Sequence, residues 1–299
     1  MQDNERQGVA LALAGFACLA FGDAVIKTMA GEWSPIAVAA LRFTIGLSGL
    51  ATILALREGR RGFVPRNPWL QAGRGLCLAA ATTCFFSAIF VMPLAEATSL
   101  IFLSPIIVAL LSGPLLGEKV RRVTFAASAI AFVGVLVVLR PNLADVGIVA
   151  LLPVAAALFI SLMVIANRAS AGQGSSLSMQ VFIAAGATPI LIVAAIAGHF
   201  SGIEALRIGV PDWTVVARCA FVAVTASSAH WLVYLGTTRA GAATVAPMTY
   251  VQLLVAVGLG WWWFGDAPDL VSLAGAAIIV SAGLLLWRSG RAVKAPVSD

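Results

Sequence analysis

Charge is scarce in this sequence: acidic and basic side chains make up 11% of 299 residues and hydrophobic ones 61%, a balance that excludes an ordinary soluble globular domain. Histidine occurs twice and cysteine four times. Cys18, Cys77, Cys84 and Cys219 form no CxxC pair and fall inside apolar runs, so they read as small buried residues, with no metal centre or disulfide framework expected. There is no HExxH, no GxSxG and no pair of histidines, which leaves a membrane enzyme without a reactive constellation. The one glycine-rich polar stretch, AGQGSSLS, lacks the lysine of a phosphate-binding loop and reads as a flexible connection. No ATP machinery and no cofactor are implied. The net charge of +6 resides mainly in bases between apolar runs, so orientation in a membrane explains it better than nucleic acid does.

What is present is apolar sequence of membrane-crossing length. Ten runs, at about 8–30, 34–56, 69–92, 94–116, 123–139, 148–166, 178–198, 213–235, 242–264 and 270–287, are each long enough to cross about 30 Å of hydrocarbon as a helix. LFISLMVIA and LLVAVGLGW are apolar on every side, which argues against the alternating strands of a barrel. The connections are too short for a separate domain, so 1–299 reads as one all-α membrane domain of ten transmembrane helices. The polar start MQDNERQ leads into a full-length run, so the first helix is expected to be retained. With a cytoplasmic N-terminus, Arg6, Arg57, Arg60, Arg61, Arg66, Arg74, Lys119, Arg121, Arg122, Arg168, Arg239, Arg288, Arg291 and Lys294 fall inside, fourteen of the nineteen bases. That bias predicts that both termini are cytoplasmic.

Two apolar runs end alike, on Gly117-Glu118 and on Gly265-Asp266. The offset between these glycines, 148 residues (265 − 117), also superimposes Phe102 on Tyr250 and Arg140 on Arg288. Upstream the offset is 144, placing Trp69 and Arg74 on Trp213 and Arg218, and Phe86 on His230. The chain thus reads as two repeats, 1–145 and 146–299. Five spans per repeat is an odd number, so the second copy enters from the opposite face, the inverted-repeat design of secondary transporters around a central site. In each Gly-acid pair the glycine is expected to stop a helix in a left-handed turn. The acid is expected to accept hydrogen bonds from the start of the next span.

The segments GFACLAFGDAVIKTM, SPIAVAALRF, ATSLIFLSPIIVALLSGPLLGE, APMTYVQLLVAVGLGWWWFGDAPD and GAAIIVSAGLLL resemble the EamA-type drug/metabolite transporter superfamily, and most of all its YddG-like bacterial amino-acid exporters. The resemblance implies ten helices in two inverted five-helix repeats, a central cavity, and the bacterial inner membrane. One departure is that Pro105 of the first half has Leu253 at its 148-residue offset, while a proline occurs earlier, at Pro247.

Asp23 and Lys27, four apart on the first span, share a helix face and can form an ion pair. Ionisable groups inside a membrane are candidate functional sites by default; Arg42 either braces the bundle or binds a carboxylate. His230 and Asp23 are candidates for proton coupling. The expected cavity residues are Asp23, Phe86, Ser99, Phe102, His230, Trp231, Tyr234, Tyr250 and Gln252, with Ser104 and Thr249 as further hydroxyls. Pro105 and Pro247 are the expected hinges. The WWWF run at 261–264 reads as an interfacial belt or packing surface. The expected function is export of amino acids, neutral and aromatic ones above all, by alternating access. A carrier for S-adenosylmethionine or a nucleotide-related metabolite is the alternative, and a membrane enzyme a more distant one. Small-molecule substrate and membrane lipid are the expected partners; the oligomeric state is left open.

Overall fold

The computed structural model describes residues 2–116, 122–145, 147–170, 172–240 and 245–291, and among these every regular element is helical. In chain order the α-helices are α1 (Gln2–Lys27), α2 (Pro35–Glu58), α3 (Pro68–Ile89), α4 (Leu94–Ile101), α5 (Ser104–Leu116) and α6 (Arg122–Asp145). They continue with α7 (Leu152–Ala169), α8 (Ser176–His199), α9 (Trp213–Ala240), α10 (Val251–Phe264) and α11 (Leu270–Arg291). Among the described residues seven candidate spans are long and apolar enough to cross a bilayer, and three shorter apolar helices run Phe125–Val138, Met248–Phe264 and Leu270–Leu285. The chain therefore has the makings of a multi-pass membrane protein.

The helices group into two compact units. The first comprises residues 1–24, 92–151 and 225–299, the second residues 25–91 and 152–224, so α1 and α9 contribute to both. In the first unit α6 packs along α11, and α4 lies against α10, α11 and α6. In the second, α3 packs on α7 and α8, and α2 on α8. Lipid is as apolar as leucine and supplies no hydrophobic drive between helices, so close backbone approach at small residues has to supply much of the attraction. Glycines mark these approaches. In the first unit a Cβ on Gly8 of α1 would lie 2.7 Å from the Ala240 Cβ of α9, and one on Gly275 of α11 would lie 2.9 Å from the Gly134 carbonyl oxygen of α6. In the second unit a Cβ on Gly75 of α3 would come within 2.5–2.8 Å of the Gly186–Ala187 backbone of α8.

The fourth apolar run, expected as one span with a hinge at Pro105, is two helices. Pro105 has no N–H, and its ring would clash with the carbonyl four residues back, at Ile101. The helix accordingly stops at Ile101 and restarts at Ser104. The Phe102 and Leu103 N–H groups close tight three-residue bonds on Ser99 and Leu100 (both 3.2 Å), and Leu103 then accepts from Ile106 and Ile107. The ninth run is likewise irregular at its start: a 3-10 turn, Ala246–Tyr250, carries Pro247 near its beginning and leads into α10.

Helix ends correspond along the chain. α2 and α8 each have 24 residues. The N-cap serines Ser34 and Ser175 stand 141 residues apart (175 − 34), as do Gly31 and Gly172 (172 − 31), both with positive φ (82° and 74°). Gly265, at φ 67° and ψ 9°, stops α10 in the left-handed turn expected of it. The capping acid of the next helix is Asp269, whose Oδ1 accepts the Ser272 N–H at 2.6 Å, rather than the expected Asp266: three residues of turn separate Asp266 from the first free N–H groups of α11. Asp212 caps α9 similarly, accepting from Thr214 at 2.9 Å. These backbone hydrogen bonds hold the carboxyls of Asp212 and Asp269 below the usual range. Gly117-Glu118 lies outside the described residues.

Replacing Gly75 by leucine should destabilise the protein by about 1–3 kcal/mol through overpacking against α8, lowering the melting temperature in detergent. Gly73→Leu is the matched control: it lies on the same helix, with nothing within 4 Å of the added Cβ. Equal melting of the two variants would refute tight packing at Gly75.

Candidate functional site

Where a helix stops inside an apolar environment, its free carbonyls and amides need polar company. In the first unit that company is assembled around the interruption after α4. Every residue of α4 from Leu94 to Leu100 is buried, including Glu96, Thr98 and Ser99. Ser99 Oγ donates to the Glu96 carbonyl at 2.8 Å. Phe102, at the break itself, is 3% exposed and meets Tyr250, the last residue of the 3-10 turn, edge to face with ring centroids 5.2 Å apart at 71°. The Tyr250 hydroxyl lies against Gly283 of α11, in space a side chain there would fill. Thr249 Oγ1 donates to Gln252 Oε1 at 3.4 Å, and Ser104 is buried at the start of α5. Four expected cavity residues, Ser99, Phe102, Tyr250 and Gln252, thus belong to two interrupted segments that pack on one another. Because α4, α5 and α10 contain neither lysine nor arginine, this cluster offers hydroxyls, an amide, a carboxyl group and aromatic edges, but no cation.

Glu96 is the functional candidate that sequence reasoning missed. It sits in MPLAEATSL, three residues into a run whose apolar neighbours and early position masked it as a helix-end acid. Burial to 8% exposure is what singles it out.

The remaining expected residues lie elsewhere. Trp231 and Tyr234 are exposed on α9 (52% and 44%), their rings 5.8 Å apart, and His230 beside them is exposed too. Asp23 is half-buried on α1. Phe86 belongs to the second unit, where it is 3% exposed and lies under the Arg42 guanidinium at 5.5 Å, with Phe43 at 4.9 Å from the same group. A cation on an aromatic face gains about 0.5–2 kcal/mol, more as water is excluded. Arg42 on α2 thus has an aromatic contact with Phe86 on α3. Trp263 meets Phe21 at 5.3 Å, while Trp261 and Trp262 are exposed; WWWF is thus both packing residue and open aromatic surface.

Arg74 and Arg218, superimposed by the 144-residue offset, are braces of the second unit. Arg74 is 6% exposed; its Nε donates to Asn167 Oδ1 near the end of α7 (2.6 Å), and its Nη1 donates to Gln71 Oε1. Arg218 donates to both carboxylate oxygens of Glu32, and its Nη1 also donates to the Thr28 carbonyl just beyond α1 (3.0 Å). Each arginine lies in the early turns of its helix and ties down the end of another, through charge-assisted bonds stronger than neutral ones.

A family model, the EamA-like transporter family, matches residues 6–140. This segment is an EamA-like transporter domain. Over 96% of the chain and 98% of its own length, the pseudopaline exporter CntI of Pseudomonas aeruginosa is 24% identical. A riboflavin transporter of Rhizobium johnstonii is 28% identical over 78% of the chain and 74% of its own. An S-adenosylmethionine uptake transporter of Rickettsia bellii is 24% identical over 76% and 75%. The fold is shared with a crystal structure 20% identical in sequence, with TM-score 0.60 over 96% of this chain and 99% of the other. Over most of its length the chain is thus similar to proteins named as transporters of small molecules.

The Phe102–Tyr250 contact can be weighed directly. A double-mutant cycle of Phe102→Leu and Tyr250→Leu, followed by unfolding in detergent, should yield a coupling of about 0.5–1.5 kcal/mol, the range of edge-to-face pairs. Strict additivity would mean that the rings do not interact.

Proposed function

We propose that this transporter is a secondary carrier of the bacterial inner membrane that exports neutral and aromatic amino acids by alternating access. In this reading residues 1–145 and 146–299 are inverted five-helix repeats, ten spans in all, and both termini are cytoplasmic. Support for the duplication comes from the matched caps Ser34 and Ser175, the matched turns at Gly31 and Gly172, and the equal roles of Arg74 and Arg218. Inverted repeats of this kind bind substrate at interrupted helices.

The observation that carries the substrate reading is the cluster at the two interruptions. Phe102 and Tyr250 offer ring surface to a side chain, while Ser99, Ser104, Thr249 and Gln252 offer hydrogen bonds to an ammonium or a carboxylate. The absence of lysine and arginine from α4, α5 and α10 disfavours phosphorylated cargo, which calls for bidentate arginines. Pro105 and Pro247 act as hinges because neither can close the backbone bond that would make its segment a straight helix. A second reading, a carrier of S-adenosylmethionine or a related nucleoside metabolite, draws support from the name of the Rickettsia relative.

Counterflow in proteoliposomes tests both. Vesicles loaded with unlabelled phenylalanine should accumulate labelled phenylalanine transiently, and Pro105→Ala should slow that exchange several-fold while leaving half-saturation nearly unchanged. Accumulation driven by S-adenosylmethionine or riboflavin, with none by amino acids, would overturn the first reading.

A further inference from the structure

Charge in the second unit is sorted between the two ends of its helices. Residues 57–74, which close α2 and open α3, hold five arginines, one acid and no lysine. The unit's other acids, Glu32, Glu204 and Asp212, stand at the far end, where Trp33 Nε1 donates to the Gly209 carbonyl at 3.0 Å and Arg218 meets Glu32. At the arginine end Arg57, Arg60, Arg61 and Arg66 are exposed. The acid there, Glu58, already accepts the Ser175 hydroxyl at 2.6 Å. Arg74, buried within α3, donates among the described residues to neutral groups alone, Asn167, Gln71 and the Met179 carbonyl. Its charge therefore adds to the field of the other four.

These arginines do not hang from a loose loop. Gly59, at φ 62°, ends α2 and turns the chain into a 3-10 helix, Gly59–Phe63, that packs on α2 and α8. Gly62 is pressed against α2: a Cβ there would lie 2.9 Å from Leu54 Cδ1. Arg66 Nη1 donates to the Gly172 carbonyl at 3.3 Å, which ties the connection to the turn before α8. A charged surface held in place loses little conformational freedom when it takes up a ligand.

The surroundings choose that ligand. α2, α3 and α8 are all candidate spans, so their shared end lies where hydrocarbon gives way to headgroups. Beside the arginines Leu56, Val64 and Trp69 stand open, 82%, 71% and 87% exposed. Guanidinium forks match phosphate oxygens bidentately, exposed apolar side chains match acyl chains, and tryptophan favours the boundary between the two. A soluble anion would use only the charged part of this surface.

We propose that this corner of the second unit binds an anionic phospholipid, its headgroup phosphate held by Arg60 and Arg61 with Arg57 and Arg66 beside them, and its chains lying against Leu56 and Trp69. The site is independent of the carrier reading above and of the cargo.

The test uses the full chain in phosphatidylcholine vesicles that carry a rising fraction of phosphatidylglycerol with brominated chains, which quench tryptophan on contact. Subtracting the signal of Trp69→Phe, made in each background, isolates the Trp69 component. In the wild-type protein half-maximal quenching of that component should need several-fold less brominated phosphatidylglycerol than brominated phosphatidylcholine. Each arginine near an anionic surface strengthens binding about fivefold, so Arg60→Gln with Arg61→Gln should lower this preference roughly tenfold or more. Arg207→Gln, which removes an exposed positive charge at the opposite end, should leave it unchanged. Quenching with no preference between the two lipids, or a loss as large in Arg207→Gln, overturns the proposal. So does displacement of the lipid by glycerol phosphate, which would make this a site for a soluble anion. The wild-type comparison of the two lipids leaves the arginines untouched, and it decides the proposal even if the double substitution unfolds the turn.

Discussion

Lipid offers no hydrogen bonds, so a chain that crosses it must satisfy each backbone amide and carbonyl internally, and unbroken helix is the cheapest way to do so. This protein departs from that solution at Ile101–Ser104 and again at Ala246–Tyr250. Both departures occur beside proline, and at the first of them Phe102, Leu103 and Ser104 are buried instead of being left to face lipid. The polar atoms freed there, with the side chains gathered around them, make the first unit chemically different from an apolar bundle. Phe102 and Tyr250 seal the region, Ser99 turns its hydroxyl back onto the Glu96 carbonyl, and Glu96 itself is enclosed.

The second unit is organised by another requirement. Its glycine crossing at Gly75 and Gly186 brings backbones together, and its charged braces fix helix ends where the chain turns. Arg74 reaches Asn167, and Arg218 reaches Thr28 and Glu32. An exposed ion pair contributes little by itself. A guanidinium that also serves a carbonyl and a hydroxyl has several partners to lose at once, and so holds a turn more firmly than charge alone would.

Much of the architecture was legible from composition and period. Long runs apolar on every side announced helices because a barrel strand would alternate in polarity, and Gly265 announced a helix stop because it takes a left-handed turn with little strain. The interruption of the fourth run was half legible: Pro105 gave its place but not its form. The capping role was assigned to Asp266 when it belongs to Asp269, since the length of a turn depends on how the helices after it pack. Ser99, Phe102, Tyr250 and Gln252 were readable as polar or aromatic breaks in apolar segments. Glu96 was not, because near the start of a run an acid ordinarily faces water.

By itself the sequence determined that this chain is helical, apolar and membrane-crossing, and which segments can be spans, because those properties follow from the number and spacing of apolar side chains. Only the tertiary structure decided which polar groups are enclosed. Burial depends on what packs against a segment from distant parts of the chain: α10 and α11, more than 150 residues later than Glu96 in sequence, pack on the helix that carries it, and no local pattern records their arrival.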